Sequence, residues 1–248
     1  FTKKDRIFEV DFARQYTENA RTWTWQVIRS EFDDIMANNF LSAGGKIEFG
    51  ASISNLNLAD EVKSCSYSKN GENFEIQFDF LVDSSGFGGI VSQFTNKEYD
   101  RAFLDHRSIF THMNFDIEKH GERIYFDILD KNLWLWVIPF HNNTASVGVV
   151  GKNAHFDKND DLKTVLDKNI QKSDRFNVIL SSENCLFDPV DYKGYSQKSQ
   201  DLYGDNYCLI GNCAEFLDPI FSSGVAFATG SGLKAANTII DHFKGSGD

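Results

Sequence analysis

The sequence predicts a mixed α/β fold, in which a strand–loop–helix half is interleaved with a half built mainly from antiparallel strands. Three observations predict it. Residues 108–150 hold four short apolar-rich runs that read as antiparallel strands. Two short apolar runs, Leu81-Val82 and Tyr207 to Ile210, each lead into a glycine-bearing loop. The second loop opens a long helical stretch, Val225 to Phe243, whose Gly230, Gly232, Ala235 and Ala236 are small enough for close packing.

The remaining elements follow in order. Ile7 to Phe12 alternates like a strand. Ser30 opens a helix with capping-box spacing to Asp33, an apolar face of Phe32, Ile35, Met36 and Phe40, and a stop at Gly44-Gly45. Ile47 to Phe49 and Ser52 to Leu56 read as strands. Val62 to Tyr67 and Phe74 to Val82 form a hairpin across Asn70-Gly71, and the alternation of Phe74, Ile76, Phe78 and Phe80 predicts one buried face. Strands are expected over Ile109 to Phe115, Arg123 to Leu129, Leu133 to Pro139 and Ala145 to Val150, with a turn at Asn142-Asn143. Asp160 to Ile170 reads as a surface helix.

Composition narrows the function. The 248 residues carry 25 Lys and Arg against 36 Asp and Glu, a formal charge of -11, and no basic cluster, which argues against a nucleic-acid partner. No apolar run approaches the ~20 residues needed to span a bilayer, and no signal peptide is visible. The four cysteines form no C-x-x-C pair and the histidines are scattered, so no metal is expected. Reduced thiols and a cytoplasmic location are the simplest reading. Twenty-three phenylalanines suggest an aromatic core or an aromatic-lined cavity.

The stretch Gly211 to Gly224 (GNCAEFLDPIFSSG) has the parts of a ligand loop. Gly211 lets backbone approach a ligand, Pro219 stiffens the turn, and Ser222-Ser223-Gly224 starts a helix whose free N–H groups and positive dipole end suit an anion or the electron-rich edge of a flavin. A capped helix after a tight turn is the alternative. Trp134 and Trp136 share one strand face, which fits either a pocket wall or ordinary packing.

Four separated stretches then carry a resemblance: Phe216-x-x-Pro219-x-x-Ser222-x-Gly224; Trp134-Leu135-Trp136-Val137-Ile138-Pro139; Gln26-Val27-Ile28-Arg29-Ser30-Glu31-Phe32-Asp33; and Asp83-Ser84-Ser85-Gly86. In kind, order and spacing they resemble the flavin-dependent halogenases and related flavoprotein monooxygenases, over nearly the whole chain. The resemblance implies FAD as cofactor, with reduced flavin and oxygen delivering an oxidant to halide or to a small organic substrate. A separate flavin reductase is a further implied partner. Gln26 and Arg29 would contact the ribityl-diphosphate region, and Asp83 and Gly86 would shape a loop near the cofactor. Gly211 and Asn212 would meet the ribityl chain. Pro219 and the N–H groups of Ser223, Gly224 and Val225 would lie by the isoalloxazine ring, and the Ser222 turn would hold halide. Trp134 and Trp136 would wall the flavin from a substrate lying on the antiparallel strands, with Phe110, His112 and Phe126 alongside. Lys4 would relay the oxidised halogen; an exposed lysine near a terminus is its alternative reading.

There are departures. Asn212 stands where the family usually has Asp, which keeps hydrogen bonding but loses charge. No G-x-G-x-x-G follows an early strand, so the first βαβ unit of the nucleotide-binding sheet is expected to lie outside this chain. The implied domains are an FAD-binding domain, residues 22–105 with 200–248, and a substrate domain, residues 1–21 with 106–199. Three functions stay open: a halogenase, a flavoprotein hydroxylase or reductase, and a non-catalytic remnant unable to hold FAD.

Overall fold

The computed structural model describes residues 2–3, 6–11, 24–95, 99–100, 105–194, 197–216, 220 and 222–245. In chain order the elements are β1 (Thr2–Lys3), β2 (Arg6–Ile7), α1 (Arg29–Ser42), β3 (Ser52–Asn57), β4 (Ser64–Lys69), β5 (Glu72–Gln77), β6 (Leu81–Asp83), α2 (Ile90–Thr95), β7 (Tyr99–Asp100), β8 (His106–Asn114) and α3 (Ile117–His120). They continue with β9 (Tyr125–Asp130), β10 (Leu133–Phe140), β11 (Thr144–Lys152), α4 (Leu162–Ile170), β12 (Val190–Lys193), β13 (Gln197–Ser199), β14 (Tyr203–Gly204), β15 (Tyr207–Leu209), β16 (Glu215–Phe216) and α5 (Gly224–Phe243). Contacts divide the chain into two units: Phe1–Lys46 with Asp105–Lys193, and Ile47–Leu104 with Gly194–Asp248.

The first unit is a seven-stranded sheet in the order β12-β8-β11-β10-β9-β1-β2, antiparallel except for β1 against β9. The period-two pattern explains its core. Ile109 and Met113 of β8, Leu133, Leu135 and Val137 of β10, and Ala145, Val147 and Val149 of β11 all project to one face. There α4 covers them with Val165, Leu166 and Ile170, joined by Phe176 and Leu180. Each such side chain contributes about 1.5–3 kcal/mol by leaving water. The helix read as a surface helix therefore buries a full side, and the Asp161 carboxylate caps it by accepting from the Thr164 N–H at 2.8 Å. The segment after Cys185 is pinned along β8: the Leu186 N–H donates to the His112 carbonyl (2.8 Å) and the Thr111 hydroxyl to the Phe187 carbonyl (2.6 Å).

Helix α1 starts at Arg29 with Ile28 as its N-cap, two residues earlier than a Ser30 cap implies. Its N-cap, Ile28, offers no side-chain acceptor, and Asp33 instead holds the Arg29 guanidinium through Nε (3.0 Å) and Nη2 (2.9 Å). The capping box does not form because an arginine four residues before the aspartate is a stronger partner for it. The glycine stop does form, with Gly44 at φ 91°. No residue of α1 is buried, and Ile35, Met36 and Phe40 are exposed.

The second unit holds β3-β4-β5, the parallel pair β15 and β6 with β14, and the small sheet β16-β13-β7. The hairpin turns where expected, with Asn70 and Gly71 both at positive φ. Its predicted buried face is only partly so. Leu56 and Cys65 are buried with Val91 of α2, but in the edge strand β5 Phe74 remains 40% and Ile76 50% exposed. Helix α2 reaches β3 and β4, and no described residue covers the edge. Two expected strands shrink. Of the described part of the Ile7 to Phe12 run only Ile7 pairs, together with Arg6 before it, because β1 beside it is two residues long; Phe12 itself lies outside the described residues. Ile47 to Phe49 runs instead into a turn at Gly50 (φ 70°) without a partner strand. Along α5, a Cβ added at Gly232 would make only an ordinary contact to Ile210 and one at Gly230 would meet no described atom within 4 Å, so close packing requires neither glycine.

Candidate functional site

In the second unit two loops meet at the ends of the parallel strands β6 and β15. Asp83, a residue only 5% exposed, ends β6. One carboxylate oxygen accepts from the Ser85 N–H (2.9 Å), the other from the Val91 N–H (2.8 Å). Its backbone carbonyl accepts from Ile210 (3.0 Å). Burial pushes the Asp83 pKa up, but the Ser85 hydroxyl, the Val91 and Ser85 amides and the Cys213 thiol outweigh it and hold the carboxyl below its ordinary value. Asp83 thus fixes the first loop, and Ser85 links it to the second: its Oγ lies 3.8 Å from Cys213 Sγ and accepts from the Ile90 N–H. Gly86 is left-handed, and a Cβ there would sit 3.9 Å from the Cβ of Asn212. Phe87 packs edge-on against Phe216 at 5.5 Å.

The second loop requires glycine at Gly211. Its φ is +56°, and an added Cβ would lie 3.1 Å from that of Ala228 on α5. Its N–H donates to Ser231 Oγ at 3.0 Å. Pro219 lies outside the described residues. Ser222, just before α5, is left-handed at φ 52°, a costly conformation for a residue with a Cβ. Neither Ser222 nor Ser223 caps the helix with its side chain. The leading N–H groups at Ser223, Gly224 and Val225 are therefore donors that the helix itself does not use.

Gln26 and Arg29 belong to the first unit. The Gln26 amide donates to the Glu122 carbonyl at 2.8 Å, and Arg29 is held by Asp33. Trp134 and Trp136 stand on the sheet face opposite α4. Register places Phe126, Trp136, Gly148, Phe110 and Val190 in one row across five strands, and Ile128, Trp134, Val150, Ser108 and Tyr192 in the next. Trp134 and Trp136 have ring centroids 5.7 Å apart, Phe126 meets Trp134 edge-on at 5.7 Å, and Phe110 lies between Trp136 (6.0 Å) and Tyr192 (6.1 Å). Lys4 lies outside the described residues.

The family model described as tryptophan halogenase matches residues 2–248. The chain belongs to that family. It is 30% identical over 259 residues to the flavin-dependent halogenase otaD of Aspergillus carbonarius, covering 91% of this chain and 51% of the relative. It is 31% identical over 254 residues to the flavin-dependent halogenase armH5 of Armillaria mellea, covering 90% and 47%. The chain thus spans about half the length of the fungal relatives it matches. Among solved structures, a flavoprotein/dehydrogenase from Cytophaga hutchinsonii superposes with a TM-score of 0.89 at 32% identity, over 96% of this chain and 59% of that one. The myxobacterial chondrochloren halogenase CndH shares the fold at a TM-score of 0.77 and 20% identity, over 94% and 56%.

Several residues that shape the aromatic face of the first unit and the glycine loop of the second escape sequence reading. Gly148 is one. A Cβ there would lie 2.3 Å and 2.4 Å from Trp136 Cζ2 and Cη2 and 2.5 Å from Phe110 Cβ, so the glycine is the slot over which the indole lies. Ser146 accepts from Trp136 Nε1 at 3.0 Å and fixes the ring's azimuth. A glycine inside an alternating strand was the available signal, since it marks close approach. Ser231, which receives Gly211, carries no such mark. Among the described residues no group of three or more His, Cys, Asp or Glu could hold a metal, and no helix is long and apolar enough to cross a membrane.

Proposed function

We propose that the protein is an FAD-dependent oxidoreductase of the halogenase type, acting on a small organic substrate with halide. The observation that carries this reading is the start of α5 behind a left-handed Ser222, where the N-cap residue Ser223 makes no side-chain cap hydrogen bond. The donor set fits a flavin: unused N–H groups suit its electron-rich edge or a halide, and the left-handed Gly211 leaves backbone where a ribityl chain needs close approach. Bound FAD, reduced and exposed to oxygen, would supply the oxidising equivalents.

This chain's residues then have defined work. The N–H groups of Ser223, Gly224 and Val225 bind and orient, with Pro219 stiffening the loop and Ser222 shaping the halide turn. Asp83 and Gly86 hold the adjoining loop in shape, and Asn212 hydrogen-bonds a ribityl hydroxyl. Gln26 and Arg29 serve the ribityl-diphosphate region. Trp134 and Trp136 exclude water and separate cofactor from substrate, and Lys4 carries the oxidised halogen. A flavin reductase acts as separate partner, and the four cysteines, which form no disulfide, fit a reducing compartment such as the cytoplasm.

A second reading, a hydroxylase or reductase without halogenation, is favoured by the likeness to the Cytophaga flavoprotein/dehydrogenase. The test is spectroscopic first. Yellow flavin bands that pass to the supernatant on denaturation support the reading, and a protein that stays colourless with added FAD sinks it. Halogen isotope patterns in product formed with and without bromide then separate the two enzymes.

A further inference from the structure

The aromatic face of the seven-stranded sheet contains a third row, Ile138, Ser146 and His112, beside the Trp136 row. His112 is the one side chain in these three rows that titrates near neutrality. Its ring is wedged between Phe140 at 5.2 Å and Phe187 at 5.1 Å, and among the described residues nothing hydrogen-bonds either ring nitrogen. The backbone behind it is fixed, because its carbonyl accepts from Leu186. The half-buried imidazole is therefore oriented while its ring nitrogens remain open to water or to a ligand.

Other charged or titratable groups stand apart from it. Tyr192 is in the Trp134 row, and His106 with Asp105 and Lys152 lies about 20 Å along the strand. Asp188, next to Phe187, pairs with Lys163, and His141, next to Phe140, is exposed. Burial lowers the pKa of His112, so the ring is neutral near pH 7 and one nitrogen is an acceptor. Phe110 lies one pleat away, about 7 Å, so a bicyclic arene lying against Phe110 and Trp136 brings a ring substituent to the imidazole.

We propose that His112 is the specificity-determining hydrogen-bond partner of this face, accepting the ring-borne O–H or N–H of an aromatic ligand that lies against Trp136 and Phe110. The inference rests on the reading of this face as the substrate surface. An unpaired acceptor wedged among aromatics penalises any arene that lacks a donor, since binding would bury it unsatisfied.

The test is calorimetric titration of the protein, supplied with FAD, with two probe pairs: 2-naphthol against 2-methoxynaphthalene, and indole against 1-methylindole. Near pH 7 the donor member of at least one pair should bind about 5-fold more tightly than its methylated partner. His112→Leu should abolish that preference, and His112→Gln, which keeps an acceptor, should retain part of it. In the unaltered protein the preference should fade as pH drops below about 6.5, because an imidazolium can only donate. That measurement decides the matter even if the variants fail to fold. A preference confined to one pair identifies the donor that is read. Equal binding within both pairs, or a preference that survives in His112→Leu, overturns the inference but leaves the face as the substrate surface. No binding of any probe overturns both.

Discussion

Gly148→Ala tests whether the aromatic face is built as described. The new Cβ would stand 2.3–2.5 Å from two carbons of Trp136 and one of Phe110. Carbon atoms settle at about 3.5–4.0 Å, so the indole must retreat by roughly 1 Å or more. Neither neighbour yields cheaply: Phe110 presents its Cβ, fixed to the strand, and the indole is tied to Ser146 at 3.0 Å. Overpacking of this kind costs ~1–3 kcal/mol, and loss of the indole hydrogen bond adds ~1 kcal/mol. Relief of the glycine's excess unfolded-state entropy offsets about 0.5–1 kcal/mol. The net loss of about 1–3 kcal/mol corresponds to a Tm lowered by roughly 2–12 °C in a chain of this size. Thermal unfolding followed by tryptophan fluorescence measures it, and the double-mutant cycle with Trp136→Phe assigns it. Gly148→Ala should cost clearly less once the larger ring is gone, the remainder being the 2.5 Å approach to Phe110 Cβ. An equal cost in both backgrounds, within ~0.5 kcal/mol, would show that the indole does not fill the space above Gly148, and the argument for an ordered tryptophan wall would fail.

Further outcomes are expected. Asp83→Ala strands the Ser85 and Val91 amides in a buried site and should cost ~2–5 kcal/mol in urea unfolding, with faster hydrogen exchange at Val91. Because the folded-state pKa of Asp83 is depressed, its contribution is present above the unfolded value of about 3.9 and is lost as pH falls through the folded value; the variant's stability should therefore be flatter than wild type below about pH 4. Gly211→Ala combines a left-handed backbone with a 3.1 Å contact to Ala228; it should destabilise by at least ~1–2 kcal/mol and weaken FAD retention on gel filtration. Ser222→Gly should raise stability by about 1 kcal/mol, since glycine adopts φ 52° without a Cβ penalty, and an unchanged Tm would mean that the turn stores no strain. Trp134→Ala should alter the range of substrates turned over, and identical product profiles would remove it from the wall between cofactor and substrate.

What could be read from the sequence divides along a physical line. The antiparallel strands were legible because alternation is local: Ala145 to Val149 places Ala145, Val147 and Val149 on one face and Ser146 and Gly148 on the other. The loops were legible because glycine and helix-start chemistry leave local marks, as at Gly211 and Ser222. Everything that depends on a partner distant in sequence was hidden. Gly148 becomes a slot only when register sets it opposite Trp136 and Phe110, and a shift of one residue would put it against the α4 core. The apolar stripe of α1 correctly marked a helix but not its burial, since periodicity reports which face is apolar and not what meets it. Asp83 shows the same division from the other side. The resemblance gave it the shaping of a loop near the cofactor, and only the structure shows how its two oxygens are used, by amides of its own loop and of α2. Whatever Asp83 contributes to a bound flavin therefore passes through backbone geometry. A substitution there should change cofactor affinity and folding stability together, whereas loss of a direct ligand contact would change affinity alone.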